Sequence, residues 1–244
     1  FESEPGIELP AFFLAPAQWR QRLPVVLYVD EWGKSAGLHN GMIEALLRAD
    51  IAVLAVDVRG VGEVAASDFE ATSNALMTDR PFFAQQVWDL LRSLDCLYEG
   101  ATTGQIDRRR IACLGRGLGG LLALYAAALD ERIAATVLWQ TLASYHDLII
   151  EHPAFPASAF LFNVLNQVDL PDLMAAHAPR PLLIAEAVDG QRQPLPVAAI
   201  TDRCAWPRQL HAWLTAGEES GQTFAVAEQQ TTPELIVRWL HTQL

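Results

Sequence analysis

The sequence predicts an α/β fold, a mostly parallel sheet with helices on both faces, and three observations predict it. Six short apolar segments alternate with helix-like ones, the pattern of parallel strands joined by helical crossovers. Hydrophobic residues make up 51% of the 244 positions, enough for a large core and too many for a disordered chain. Four of the apolar segments run into polar or glycine-containing turns, as strands do at the ligand-binding edge of an open sheet.

In chain order, residues 7–14 are apolar but interrupted by Pro10, which suits an antiparallel edge strand because proline cannot donate to a ladder. The parallel strands follow at residues 25–29, 51–56, 111–114, 133–139, 182–187 and 223–227. Residues 82–97 and 118–129 carry apolar positions at helical spacing. The last helix has its own start signal: Thr232 as N-cap, Pro233 in the first turn and Glu234 beside it, ahead of the stripe Leu235, Ile236, Trp239 and Leu240. The proline-containing stretches 151–156 and 191–196 read as surface loops rather than linkers, and no internal repeat interrupts the pattern. Residues 1–244 therefore read as one domain.

Composition narrows the partners. A formal charge of -12 repels nucleic-acid phosphates and anionic lipid, so neither nucleic acid nor membrane is expected. Cys96, Cys113 and Cys204 form no CxxC pair, and His146, His152 and His177 match no metal-ligand spacing, so no disulfide framework, metal or other cofactor is expected. No apolar run is long enough to span a bilayer, which predicts a soluble chain. It opens on Phe1 rather than Met, the pattern left by a removed signal peptide or an upstream domain, and a second copy of the chain is a further candidate partner.

Chemistry is expected at the carboxyl ends of the strands, and the glycine cluster after residues 111–114 is the most informative of them. Gly115, Gly117 and Gly120 match G-x-G-x-x-G, which between a strand and a helix would cradle a pyrophosphate. A dinucleotide site also needs an acidic residue at the end of the next strand, where this chain has Trp139, Gln140 and Thr141. The alternative is a nucleophile elbow, G-x-S-x-G, read over Gly115-Arg116-Gly117-Leu118-Gly119, with glycine in place of the central serine. Asp189 follows a later strand, where the acid of a Ser, Asp, His series falls. The loop after residues 223–227 reads Glu228-Gln229-Gln230-Thr231, with no histidine.

With these residues, together with Asp57-Val58-Arg59-Gly60-Val61-Gly62, Asp169-Leu170-Pro171-Asp172-Leu173 and Ala178-Pro179-Arg180-Pro181, the chain resembles the acetyl xylan esterase-like group of bacterial α/β hydrolases. Such enzymes act on carboxylic esters, often of decorated carbohydrates. The resemblance implies that Gly117 stands at the nucleophile position, Asp189 at the acid position and Gln229 at the histidine position. It further implies an oxyanion hole formed by the N–H groups of Leu118 and of Glu31 or Trp32. Glycine offers no nucleophile and glutamine no base near neutral pH, so two members of the triad are missing independently.

Simpler explanations stand beside these. Glycines suit a tight strand-to-helix turn whether or not anything binds there, and Asp189 beside Gly190 suits a turn. Asp57 and Arg59 suit a structural ion pair. Trp32 and Trp139 suit core packing, although at strand ends an aromatic face also suits a sugar. The leading expectation is a catalytically degenerate α/β-hydrolase-like domain acting as a scaffold or binding module for carbohydrate, an ester ligand or an active partner domain. An active carboxylesterase with an unconventional site, using Ser35 or a crevice histidine, is the alternative, and a dinucleotide-binding domain is the second.

Overall fold

Pro10 divides the first apolar segment in two. In the computed structural model, which describes every residue except 19–21, 100–103, 105, 151, 216–222 and 228–230, β1 (Glu2–Glu4) and β2 (Ile7–Glu8) form a small hairpin of their own. Beyond the proline, β3 (Ala11–Leu14) joins the main sheet as its antiparallel edge. The other strands are β4 (Leu23–Asp30), β5 (Ala52–Val56), β6 (Ile106–Arg116), β7 (Ala135–Trp139), β8 (Leu182–Ala185) and β9 (Phe224–Val226). Their order is β3-β5-β4-β6-β7-β8-β9, with every pair after the first parallel. The chain has an α/β-hydrolase fold.

Alternation along β4 explains why the sheet is covered on both sides. Val25, Leu27 and Val29 face one apolar cluster and Val26 and Tyr28 the other, because successive side chains of a strand point to opposite faces. The first cluster takes in α4 (Phe82–Glu99), α5 (Leu118–Leu129), α6 (Leu170–Ala176) and α7 (Val197–Arg203). The second takes in α2 (Met42–Arg48), which follows the short α1 (Ala36–His39), and the closing helix α9 (Pro233–Gln243). The remaining α-helices among the described residues are α3 (Asp68–Met77) and α8 (Ala205–Leu214). Among the described residues no helix is long and apolar enough to cross a membrane.

Motifs that carried the family resemblance have structural work. Asp169 caps α6, reciprocated by Asp172. Asp57 and Arg59 do not pair with each other: Asp57 accepts from the buried Lys34 ammonium at 2.6 Å, and Arg59 binds Asp89 at 2.5 Å and Glu4 at 2.9 Å. The small residues of the elbow let α5 lie on the sheet, since a Cβ on Gly119 would stand 2.3 Å from the Val29 carbonyl oxygen.

Candidate active-site crevice

Strand register sets a row of residues along the carboxyl edge of the sheet. Asp30 pairs with Arg116, Arg116 with Trp139, and Trp139 with Ala185, so the next residues, Glu31, Gly117, Gln140 and Glu186, all emerge at one level. Of these, Glu31, Gln140 and Glu186, with Arg116 below them, line a cavity of about 600 Å³. The loop after β8 contributes Val188, Arg192, Pro194 and Leu195 to its wall.

Gly117 has φ 60° and ψ -124° and starts α5, so the sharp strand-to-helix turn is formed without a serine. The space where a side chain would begin is filled by another residue. A Cβ on Gly117 would lie 2.3 Å from Cδ of Glu31 and 2.4 and 2.6 Å from its carboxylate oxygens. Glu31 is held there from two sides. The Leu118 N–H donates to its Oε2 at 3.2 Å, and the Arg192 guanidinium donates to both oxygens at 2.6 and 2.7 Å. This is a bidentate, charge-assisted pair at a helix N-terminus, where negative charge is favoured. Arg192 is anchored independently of Glu31, since its Nε donates to the Ala154 carbonyl at 2.8 Å and its guanidinium lies 4.5 Å from the Phe155 ring centroid.

A second carboxylate is fixed across the crevice. Glu186 accepts from Trp139 Nε1 at 3.1 Å, Gln140 Nε2 at 2.8 Å and the Thr231 N–H at 2.9 Å. Gln140 in turn accepts from Arg116 Nε at 2.8 Å, and the Arg116 guanidinium lies 5.0 Å from the Trp139 ring centroid. Gln140, Glu186 and Arg192 all adopt positive φ, 50°, 50° and 63°. Non-glycine residues in this region carry strain, and such residues cluster at binding and catalytic sites.

The residues singled out from sequence are distributed unevenly. Gly117, Leu118, Glu31 and Trp32 meet at the elbow, but the N–H groups expected to stabilise an oxyanion have partners. Leu118 donates to Glu31, Glu31 to the Arg116 carbonyl at 3.3 Å, and Trp32 to Asp30 Oδ1 at 2.9 Å. Burial pushes the Asp30 carboxyl above the ordinary carboxylate range, and the Tyr28 hydroxyl donates to it at 2.6 Å. Asp189 is outside the cavity wall, and its Oδ1 accepts the N–H groups of Gln191 and Gln193, closing its own turn. The carboxylate that reaches the start of the closing helix is Glu186. Gln229 lies outside the described residues.

Trp32, 71% exposed, stands at the mouth of the cavity, whereas Trp139 is only 5% exposed, engaged by Glu186 and Arg116. Ser35 is not on the cavity wall, and neither is any histidine among the described residues. His177 and His211 sit in the core, where burial holds both imidazoles below their usual range, His177 at about 3. Sequence reasoning missed Arg192 and Glu186. The loop 191–196 carried no signal beyond its prolines, and Glu186 falls inside the segment read as strand.

The sequence model of the family described as acetyl xylan esterase (AXE1) matches residues 1–151. YtaP of Bacillus subtilis (strain 168), named only as a hydrolase, is 27% identical over 156 residues, 57% of this chain and 50% of its own length. The chain thus spans about half the length of the curated relative it matches. Among solved structures, a Bacteroides fragilis NCTC 9343 protein described as a candidate acetyl xylan esterase superposes with a TM-score of 0.76 at 15% identity, covering 94% of this chain and 65% of its own. An acetyl xylan esterase from Paenibacillus sp. R4 superposes with a TM-score of 0.64 at 20% identity, covering 97% of this chain and 80% of its own.

Proposed function

Because the chain belongs to the acetyl xylan esterase (AXE1) family yet has glycine at the elbow, we propose that it is a non-hydrolytic binding domain that retains an esterase crevice. One observation carries this reading: the Glu31 carboxylate fills the volume where the side chain of a nucleophile would begin. A serine esterase forms an acyl-enzyme by hydroxyl attack, assisted by a neighbouring imidazole and by free N–H donors around the oxyanion. Gly117 supplies no hydroxyl, Leu118 spends its N–H on Glu31, and the cavity wall has no histidine among the described residues.

The binding role has its own support. The cavity is preformed, its polar groups are held by named partners, and an exposed indole stands at its mouth where a sugar ring or other flat ligand could stack. A dinucleotide is disfavoured, since the edge after β7 offers Trp139, Gln140 and Thr141 where a ribose needs an acidic partner. A carbohydrate, a carbohydrate ester or an active partner domain is the proposed occupant.

The test is turnover of an aryl acetate together with labelling by a fluorophosphonate probe. The expected result is no turnover above a denatured control and no label. Labelling mapped to Ser35 or to any other serine of the chain would replace this reading with that of an active carboxylesterase.

A further inference from the structure

Resting on the non-hydrolytic reading, we infer that the elbow of this domain is a carboxylate-binding site kept closed by Glu31, and that it takes a carboxylate ligand in Glu31's place. The crevice already displays the chemistry it recognises. Its occupant is a carboxylate held by both terminal nitrogens of Arg192 and by the Leu118 N–H. Arg192 does not depend on that occupant for its position. Its Nε is committed to the Ala154 carbonyl and its plane lies against Phe155, leaving the outer fork for one bidentate acceptor.

The other carboxylates near the cavity do not compete for Arg192. Glu186 has three N–H donors and does not need Arg192. Arg116 faces the same space with its Nε on Gln140, and Asp30 stands 3.7 Å from its NH1. An incoming carboxylate therefore meets the Arg192 fork and the Leu118 N–H that Glu31 vacates, while a displaced Glu31 remains on a loop next to the exposed Trp32. The apolar wall of Val188, Pro194, Leu195, Val197 and Ile200 gives the body of the ligand a surface to cover. The ligand class is thus a monocarboxylate carrying a ring or short apolar body, and Glu31 is a tethered competitor for it.

Calorimetric titration of the full chain with sodium benzoate, and with uncharged benzamide as the control, tests this in the wild type, Glu31→Gln and Arg192→Met. A group tethered next to its site competes at an effective concentration of at least the millimolar order, so Glu31→Gln should bind benzoate about tenfold tighter or more. Wild type should show weaker, saturable binding, Arg192→Met should lose it, and benzamide should not bind. Equal binding of benzoate and benzamide, no wild-type saturation, no tightening in Glu31→Gln, or binding that survives Arg192→Met would each overturn the inference. Should thermal melting show Glu31→Gln unfolded, Glu31→Ala, which removes the carboxylate altogether, carries the same expectation. Aryl acetate turnover measured on the same samples separates the two claims: turnover sinks the non-hydrolytic reading, whereas loss of benzoate binding without turnover sinks only the carboxylate site.

Discussion

Gly117 is where residue chemistry decides most. Its positive φ costs glycine little, and its missing side chain leaves room for Glu31. Gly117→Ser adds a Cβ into the Glu31 carboxylate, so the expected outcome is a loss of about 1–3 kcal/mol from backbone strain and the displaced ion pair, read by chemical denaturation. The new hydroxyl still lacks an imidazole, and a triad whose members act together recovers little from one of them, so aryl acetate turnover should stay at the background rate. Removing the clash in Gly117→Ser with Glu31→Ala should restore part of the stability and none of the turnover. The absence of a serine was legible in the sequence, because G-x-S-x-G has a fixed spacing. What replaced it was not: Glu31 and Arg192 are 161 positions apart, and no local pattern announces a contact at that separation.

Among the elements, α5 is held at both ends by groups from outside it. Its first turn rests on Glu31, while near its C-terminal end Arg180 donates to the carbonyls of Ala127 at 2.6 Å, Ile133 at 2.8 Å and Asp130 at 3.1 Å. Arg180→Met keeps the stem but strands these acceptors, with an expected loss of about 2–3 kcal/mol by chemical denaturation, and Arg180→Lys should recover only a part because a point charge cannot span three carbonyls. The parallel strands were readable because strands buried on both faces are short apolar runs, unbroken in β5 and interrupted in β7 only by the buried Thr136. Pro10 correctly pointed to an edge. The Arg180 motif could be read only as a likeness, since the carbonyls it reaches are 47 to 53 positions away. The loop after β8 looked like surface for a similar reason: what draws Arg192 inward is Glu31, from another strand.

At the scale of the whole molecule, buried titratable groups set the response to acid. His177 and His211 are enclosed in the core, each with one ring nitrogen near a carbonyl oxygen, Pro181 and Met174 respectively, at 3.1 and 3.2 Å. Burial holds His177 at about 3 instead of its usual 6.5, with the Arg180 charge acting in the same direction, and it lowers His211 as well. A histidine whose folded pKa lies below its unfolded value binds more protons when unfolded, so stability is intact above about pH 6.5 and falls as the pH drops toward 3. Chemical denaturation across that range should show the decline, and His177→Gln should make it shallower; a curve equally steep in the variant would show that other groups govern it. A domain that keeps the fold without forming an acyl-enzyme stays unmodified by its substrate, which intact-mass measurement after incubation with excess aryl acetate reads out. The expected spectrum is that of the unmodified chain at every time point, whereas one acetyl group per chain, mapped to a residue of the crevice and lost again with time, would contradict it.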